Sequence, residues 1–148
     1  MNYINEAIEY LTSYNDLKIA LKNLKNKELL LKENLEEIKS VSLDGMPKSN
    51  MIDPDDRIIN IIFKLDQTRN YIKETENKIK EIDNIFKNFK ENELTKEYGK
   101  ILRLWYIEQW SKIRIAMEFN CSERQLYRIR SKAIRKLAIQ LFGIKVIA

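Results

Sequence analysis

Apolar residues recur at alternating steps of four and three along two long stretches, and this spacing limits the possible folds more than any other feature of the chain. Positions 3, 7, 10, 14, 17, 21, 24, 28, 31, 35 and 38 read Tyr, Ala, Tyr, Tyr, Leu, Leu, Leu, Glu, Leu, Leu, Ile, so that only Glu28 interrupts the seam. A second seam through 58, 61, 65, 68, 72, 75, 79, 82, 86 and 89 reads Ile, Ile, Leu, Thr, Ile, Thr, Ile, Ile, Phe, Phe. A repeat averaging about 3.5 residues keeps one stripe of a helix facing a partner over its whole length. The pattern predicts an all-α chain with two long helices.

Between the seams lies SLDGMPKSNMID, residues 42–53, where Gly45 and Pro47 break the helix. Asp53, Pro54, Asp55 and Asp56 then supply a cap, a favoured first-turn proline and two acids at the positive end of a new helix. Each helix has about 37 residues, or ~55 Å at ~1.5 Å per residue, so the two match in length. Pairing positions that sum to 96 sets Leu35 by Ile61, Leu31 by Leu65, Tyr14 by Ile82 and Glu28 by Thr68. One polar layer in an apolar seam fixes alignment at some cost in stability. The expectation is a long antiparallel helical hairpin, a coiled coil, over residues 1–91 with its loop at 42–53. Two separate intermolecular coiled coils are the alternative, against which the matched lengths and short loop speak.

Two apolar sets are left over. Ile4, Ile8, Leu11 and Ile85 lie near the open end of the hairpin and are expected to dock a second domain, residues 92–148, through a leading helix striped by Leu94, Tyr98, Ile101 and Trp105. Leu29, Leu30, Ile59, Ile62 and Phe63 lie toward the loop, where they either form a self-association surface, making a homodimer through the hairpin one option, or widen the seam. Trp105, Tyr106 and Trp110 read as core of the second domain, with a partner contact the alternative for Trp110.

Within that domain, IRIAMEFNCSERQLYRIRSKAIRKL at 113–137 holds two short amphipathic helices around a tight turn. Ser111 caps the first, whose inward positions are Ile115, Ala116 and Phe119. Asn120 tolerates the left-handed backbone of a helix end, and Ser122 with Gln125 forms a capping box that restarts the chain. Leu126, Ile129, Ala133 and Leu137 form the inward stripe of the second helix. Its outer face carries Glu123, Arg124, Tyr127, Arg128, Lys132 and Arg135, and the four cations form a ridge whose self-repulsion calls for an anionic partner. The bland alternative is a basic face that is merely solvated. A short helix, a tight turn and a basic second helix are how a protein places side chains in the major groove of double-stranded DNA.

Charge follows the same division. Residues 101–148 hold ten Lys or Arg against three Asp or Glu, whereas residues 1–100 hold seventeen against nineteen, so the net +5 arises wholly in the last third. That favours a polyanion as partner of this part alone. With no histidine and a single cysteine, Cys121, neither a common tetrahedral zinc site nor an intramolecular disulfide is available. No Gly-rich phosphate loop occurs and the acids at 53–56 serve as helix caps, so neither an enzyme nor a cofactor is expected. No long apolar run or signal-peptide pattern occurs, which points to a cytoplasmic protein with no membrane partner.

The stretch 113–137, and Ser122–Leu137 in particular, resembles region four of primary bacterial sigma factors, the helix-turn-helix that reads the upstream promoter element. AIEYL near the start, GMPKS at Gly45–Ser49 and LRLWYIEQWSKIRIA before the turn are similar to small phage regulators of the ArpU/RinA type, a likeness that covers nearly the whole chain. The sigma resemblance implies base reading by Glu123, Arg124 and Arg128, with Lys132 near the backbone. This chain has Glu where sigma factors usually have Arg, Arg where they have Glu, and Arg where they have Gln, so the resemblance carries a fold and not a recognition sequence. Arg114 stands where the family usually has an acid.

Together the residues and the resemblance lead to the expectation of a sequence-specific DNA-binding transcription regulator; its phage or prophage origin and late-gene activator role are implied by the resemblance alone. The alternatives are a small-terminase-like DNA-packaging recognition subunit and a sigma-like adaptor for RNA polymerase. Eight or more subunits would favour packaging, and a monomer or dimer a regulator.

Overall fold

A computed structural model describes residues 2–43 and 54–148. Helix α1 spans Tyr3–Leu43 and α2 spans Pro54–Glu91, while α3 (Lys96–Leu102), α4 (Lys112–Glu118) and α5 (Glu123–Phe142) follow. A π-helical turn, Arg103–Ile107, extends α3, and a 3₁₀ turn, Gly143–Val146, follows α5. The described residues contain no strand, so the fold is all-α. None of their helices is long and apolar enough to cross a membrane.

Helix α2 opens on Pro54 with Asp55 and Asp56 in its first turn, as the restart signal predicts. The helix breakers Gly45 and Pro47, the Gly45–Ser49 segment and the Asp53 cap lie outside the described residues. Every position of both seams is buried or half-buried. The chain divides into two compact units, Leu17–Lys78 and a second made of Met1–Asp16 with Ile79–Ala148.

In the unit Leu17–Lys78, Leu31, Leu65 and Thr68 are buried and the other seam residues half-buried. Lys25 pairs with Glu76 at 3.4 Å. Glu28 does not rely on the Thr68 hydroxyl that its register suggests; its carboxylate lies 3.4 Å from Lys32 and 3.5 Å from Arg69. A carboxylate at the seam's margin is better solvated when it swings toward flanking cations than when it points at a buried hydroxyl. Leu29, Leu30, Ile59, Ile62 and Phe63 all remain exposed, so they do not widen the seam.

The second unit holds the larger core. Leu11, Phe89, Leu102, Ile115, Leu126 and Ala133 are fully excluded from solvent, each large side chain contributing about 1.5–3 kcal/mol by leaving water. Tyr14 donates its hydroxyl proton to the Asp83 carboxylate, and Asn15 donates from Nδ2 to the Ile107 carbonyl at 2.9 Å. Tyr3 and Tyr10 pack their rings against Phe142 at the end of α5, with centroids 5.3 and 6.0 Å apart. Residues at the start of α1 thus meet the π turn and the end of α5, rather than the leading helix alone. Leu94 breaks the expected stripe of that helix and is 87% exposed. It sits in a turn closed by the Thr95 amide on the Asn92 carbonyl, while the Asn92 side chain accepts from the Leu94 amide. Thr95 takes the inward place instead, donating from Oγ1 to the Phe89 carbonyl at 3.1 Å.

Candidate nucleic-acid interface

The two helices that bracket Asn120 owe their boundaries to local chemistry. Ser111 adopts an extended backbone and its Oγ accepts from the Arg114 amide at 3.2 Å, starting α4. Asn120, at φ 51°, takes the left-handed conformation that a short polar side chain tolerates. Ser122 Oγ then accepts from the Gln125 amide at 3.1 Å, and Gln125 Oε1 accepts from the Ser122 amide at 3.0 Å, a complete capping box at the start of α5. Such a cap stabilises a helix by about 1 kcal/mol.

Packing then fixes which face of α5 is free. Leu126 joins Ile101, Ile115 and Ala116 in a buried cluster, with Phe119, Trp110 and Ile129 packed against it. Farther along, Ala133 and Leu137 are buried as expected, joined by Ile134 and Ala138. The inward stripe is therefore wider than the 3-and-4 spacing alone suggests, because helices cover it from two sides.

Ser122, Glu123, Arg124, Arg128, Lys132 and Arg135 are all exposed, and Tyr127 is 46% exposed. Arg124, Arg128 and Arg135 fall within about 40° of one another around the helix at ~3.6 residues per turn. No carboxylate lies within 4 Å of Arg124, Arg128, Lys132 or Arg135 among the described residues. The ridge is a set of uncompensated cations on a rigid rod. Tyr127 stands at its edge, with its ring 5.2 Å from that of Trp105 at 86°.

A fifth cation of α5 behaves differently. Arg130 turns back under the helix, donating from Nε at 2.9 Å and from Nη2 at 2.7 Å to the Tyr106 hydroxyl, with its guanidinium 5.2 Å from the Trp105 ring. Its one sequence signal is its place between Ile129 and Ala133 and one turn before Ile134. The Arg114 guanidinium lies over the Trp110 ring, 3.6 Å from its centroid, and the Lys112 ammonium sits 5.1 Å from the Trp105 ring centroid. Arg114 thereby makes a cation–π contact with Trp110 from the first turn of α4.

The family described as "Protein of unknown function (DUF1492)" matches residues 37–138. No curated protein and no solved structure matches the chain.

Proposed function

The chain belongs to the DUF1492 family, and we propose that it is a sequence-specific DNA-binding transcription regulator in which α4, the turn at Asn120 and α5 act as a helix-turn-helix. The observation that carries this reading is the row of four exposed cations, without an ion-pair partner among the described residues, on one face of a capped α5 whose opposite face is packed into a core. In this reading α5 lies in the major groove with its first turns against the base edges. Arg128 presents a planar fork that matches the O6 and N7 acceptors of guanine, while Arg124 and Glu123 reach neighbouring positions. Lys132 and Arg135, farther from the helix start, meet phosphates. In this reading α1 and α2 pair as the antiparallel hairpin expected from the seams, which the Lys25–Glu76 and Glu28–Arg69 ion pairs support. The resemblance to ArpU/RinA-type regulators supplies the phage or prophage setting and the late-gene activator role.

Selection of bound duplexes from random DNA by the full chain, followed by affinity measurements on the Arg128→Ala variant, tests the reading. Arg128→Ala should cost about 1–3 kcal/mol on the selected site and relax preference at one base pair. Arg135→Ala should weaken all sequences alike and reduce the log–log salt slope by about one. Equal loss on selected and random duplexes for Arg128→Ala would remove α5 as the reading helix.

A further inference from the structure

A second basic surface lies away from the ridge of α5, where the last turns of α2 meet α3. Lys90, near the end of α2, and Lys96, Lys100 and Arg103, along α3 and its π-helical extension, line one groove there. The last three recur at steps of four and three, which keeps them on one side of the helix, away from the buried Leu102. Lys90, Lys100 and Arg103 are exposed and Lys96 is half-buried. None of the four has a carboxylate within 4 Å among the described residues. Asp83, the acid that lines the groove, accepts the Tyr14 hydroxyl proton and offsets only part of this charge.

The groove offers charge and little else. Phe86 is buried with its ring under the Arg103 guanidinium, 5.0 Å from the ring centroid, and Gly99 is buried where α3 approaches α2. An occupant must therefore be held by the cations alone. For an acidic peptide that means ion pairs in water, each of which contributes little. A DNA backbone gains more, because each phosphate neutralised releases counterions condensed on the polyanion. The dimensions agree: the run from Lys96 to Arg103 covers ~10 Å at ~1.5 Å per residue, the axial length of about three phosphates on one strand at ~3.4 Å each. Lysine, a point charge on a flexible stem, suits contacts that position a duplex without reading it.

The groove belongs to the same compact unit as α5, and α3 packs directly against α5, with Ile101 and Leu126 in one buried cluster. Packed helices lie ~8–10 Å apart, a small offset beside the ~34 Å of one duplex turn, so the flank of a duplex seated on α5 can extend to this groove. We propose that the groove holds backbone phosphates of the duplex flanking the bases that α5 reads. This inference rests on the DNA reading and adds to it a contact that carries no sequence information.

The test uses the full chain and two duplexes: the shortest selected site that retains the sequence preference, and the same site with random-sequence arms one helical turn long on each side. The armed duplex should bind about tenfold tighter, and Lys90→Gln with Lys100→Gln should remove most of that gain while leaving the short site within about twofold. The log–log salt slope on the armed duplex should fall by about two, at roughly 0.9 per phosphate contact. Lys90→Arg with Lys100→Arg keeps both charges and should keep the gain, as should Arg128→Ala. Affinity for the short site also checks folding, since α5 lies in the same unit. An equal loss on both duplexes in the Gln variant would overturn the proposal, as would an arm gain that this variant retains. A Gln variant that keeps its DNA affinity but no longer binds poly-glutamate would assign the groove to an acidic protein segment instead. If the parent chain binds no duplex, the DNA reading falls and this contact with it; if it binds the short site and gains nothing from the arms, the groove contact alone falls.

Discussion

The unit Leu17–Lys78 and the unit joining Met1–Asp16 to Ile79–Ala148 are both built from helices with regular apolar stripes, yet they bury those stripes to different depths. In the first, most seam leucines and isoleucines stay half-buried, and Leu29, Leu30, Ile59 and Phe63 are more than half exposed. In the second, Leu11, Leu126 and Ile115 are completely covered. Two long helices offer each other a single stripe, whereas short helices meeting from several directions enclose a side chain on all sides. Heptad spacing therefore specifies which residues face a partner, and the number of elements around them specifies how dry they become.

The largest expected effect sharpens this contrast. Leu126→Ala should cost about 3–5 kcal/mol, because the cavity it leaves is walled on all sides, whereas Leu24→Ala in the two-helix unit should cost about 2 kcal/mol or less. Urea unfolding of the two variants measures the difference, and equal costs would break the comparison. Next come the glycines of the multi-helix unit. Gly99→Ala forces a Cβ to within 2.9 Å of the Phe89 Cβ and should cost about 1–3 kcal/mol through overpacking. Gly143→Ala has open space around it but a φ of +72° with ψ −144°, close to a region that only glycine adopts readily, so its cost of about 1–3 kcal/mol comes from the backbone alone. A thermal melt of Gly99→Ala unchanged from that of the parent chain would show that the α2–α3 approach is looser than its geometry implies. The smallest effect belongs to the two-helix unit: Glu28→Leu gives up half-exposed ion pairs with Lys32 and Arg69, each worth a few tenths of a kcal/mol, and fills the one charged position of the α1 seam with an apolar side chain. It should raise the melting temperature slightly. A fall would mean that the charged layer contributes more than the hydrocarbon replacing it.

Much of this organisation is legible in the order of residues because it is local. The Ser111 and Ser122 caps, the left-handed Asn120 and both heptad seams depend on neighbours a turn away, and each is present as expected. Of the candidate interface, the exposure of Arg124, Arg128, Lys132 and Arg135 is legible for the same reason. Long-range contacts were not legible. Leu94 follows a helical stripe but loses its inward place to Thr95, whose hydroxyl finds the Phe89 carbonyl. Arg130 looks like one more cation of a basic helix until Tyr106, twenty-four residues earlier, supplies the oxygen that holds it. The partners of Glu28 depend on side-chain reach, which spacing does not encode.

The contacts at the start of α1 also order events in time. Tyr14 meets a residue 69 positions later and Asn15 one 92 positions later, so the first turns of the chain cannot be covered while they are being made. Leu11, fully buried in the finished unit, leaves the ribosome early and stays wet until the residues after Ile79 follow. Closing so long a loop is slow, and the exposed apolar face of an unfinished amphipathic helix is open to unproductive association meanwhile. For this chain, the cost of joining its two distant segments into one core is a period of vulnerability during synthesis.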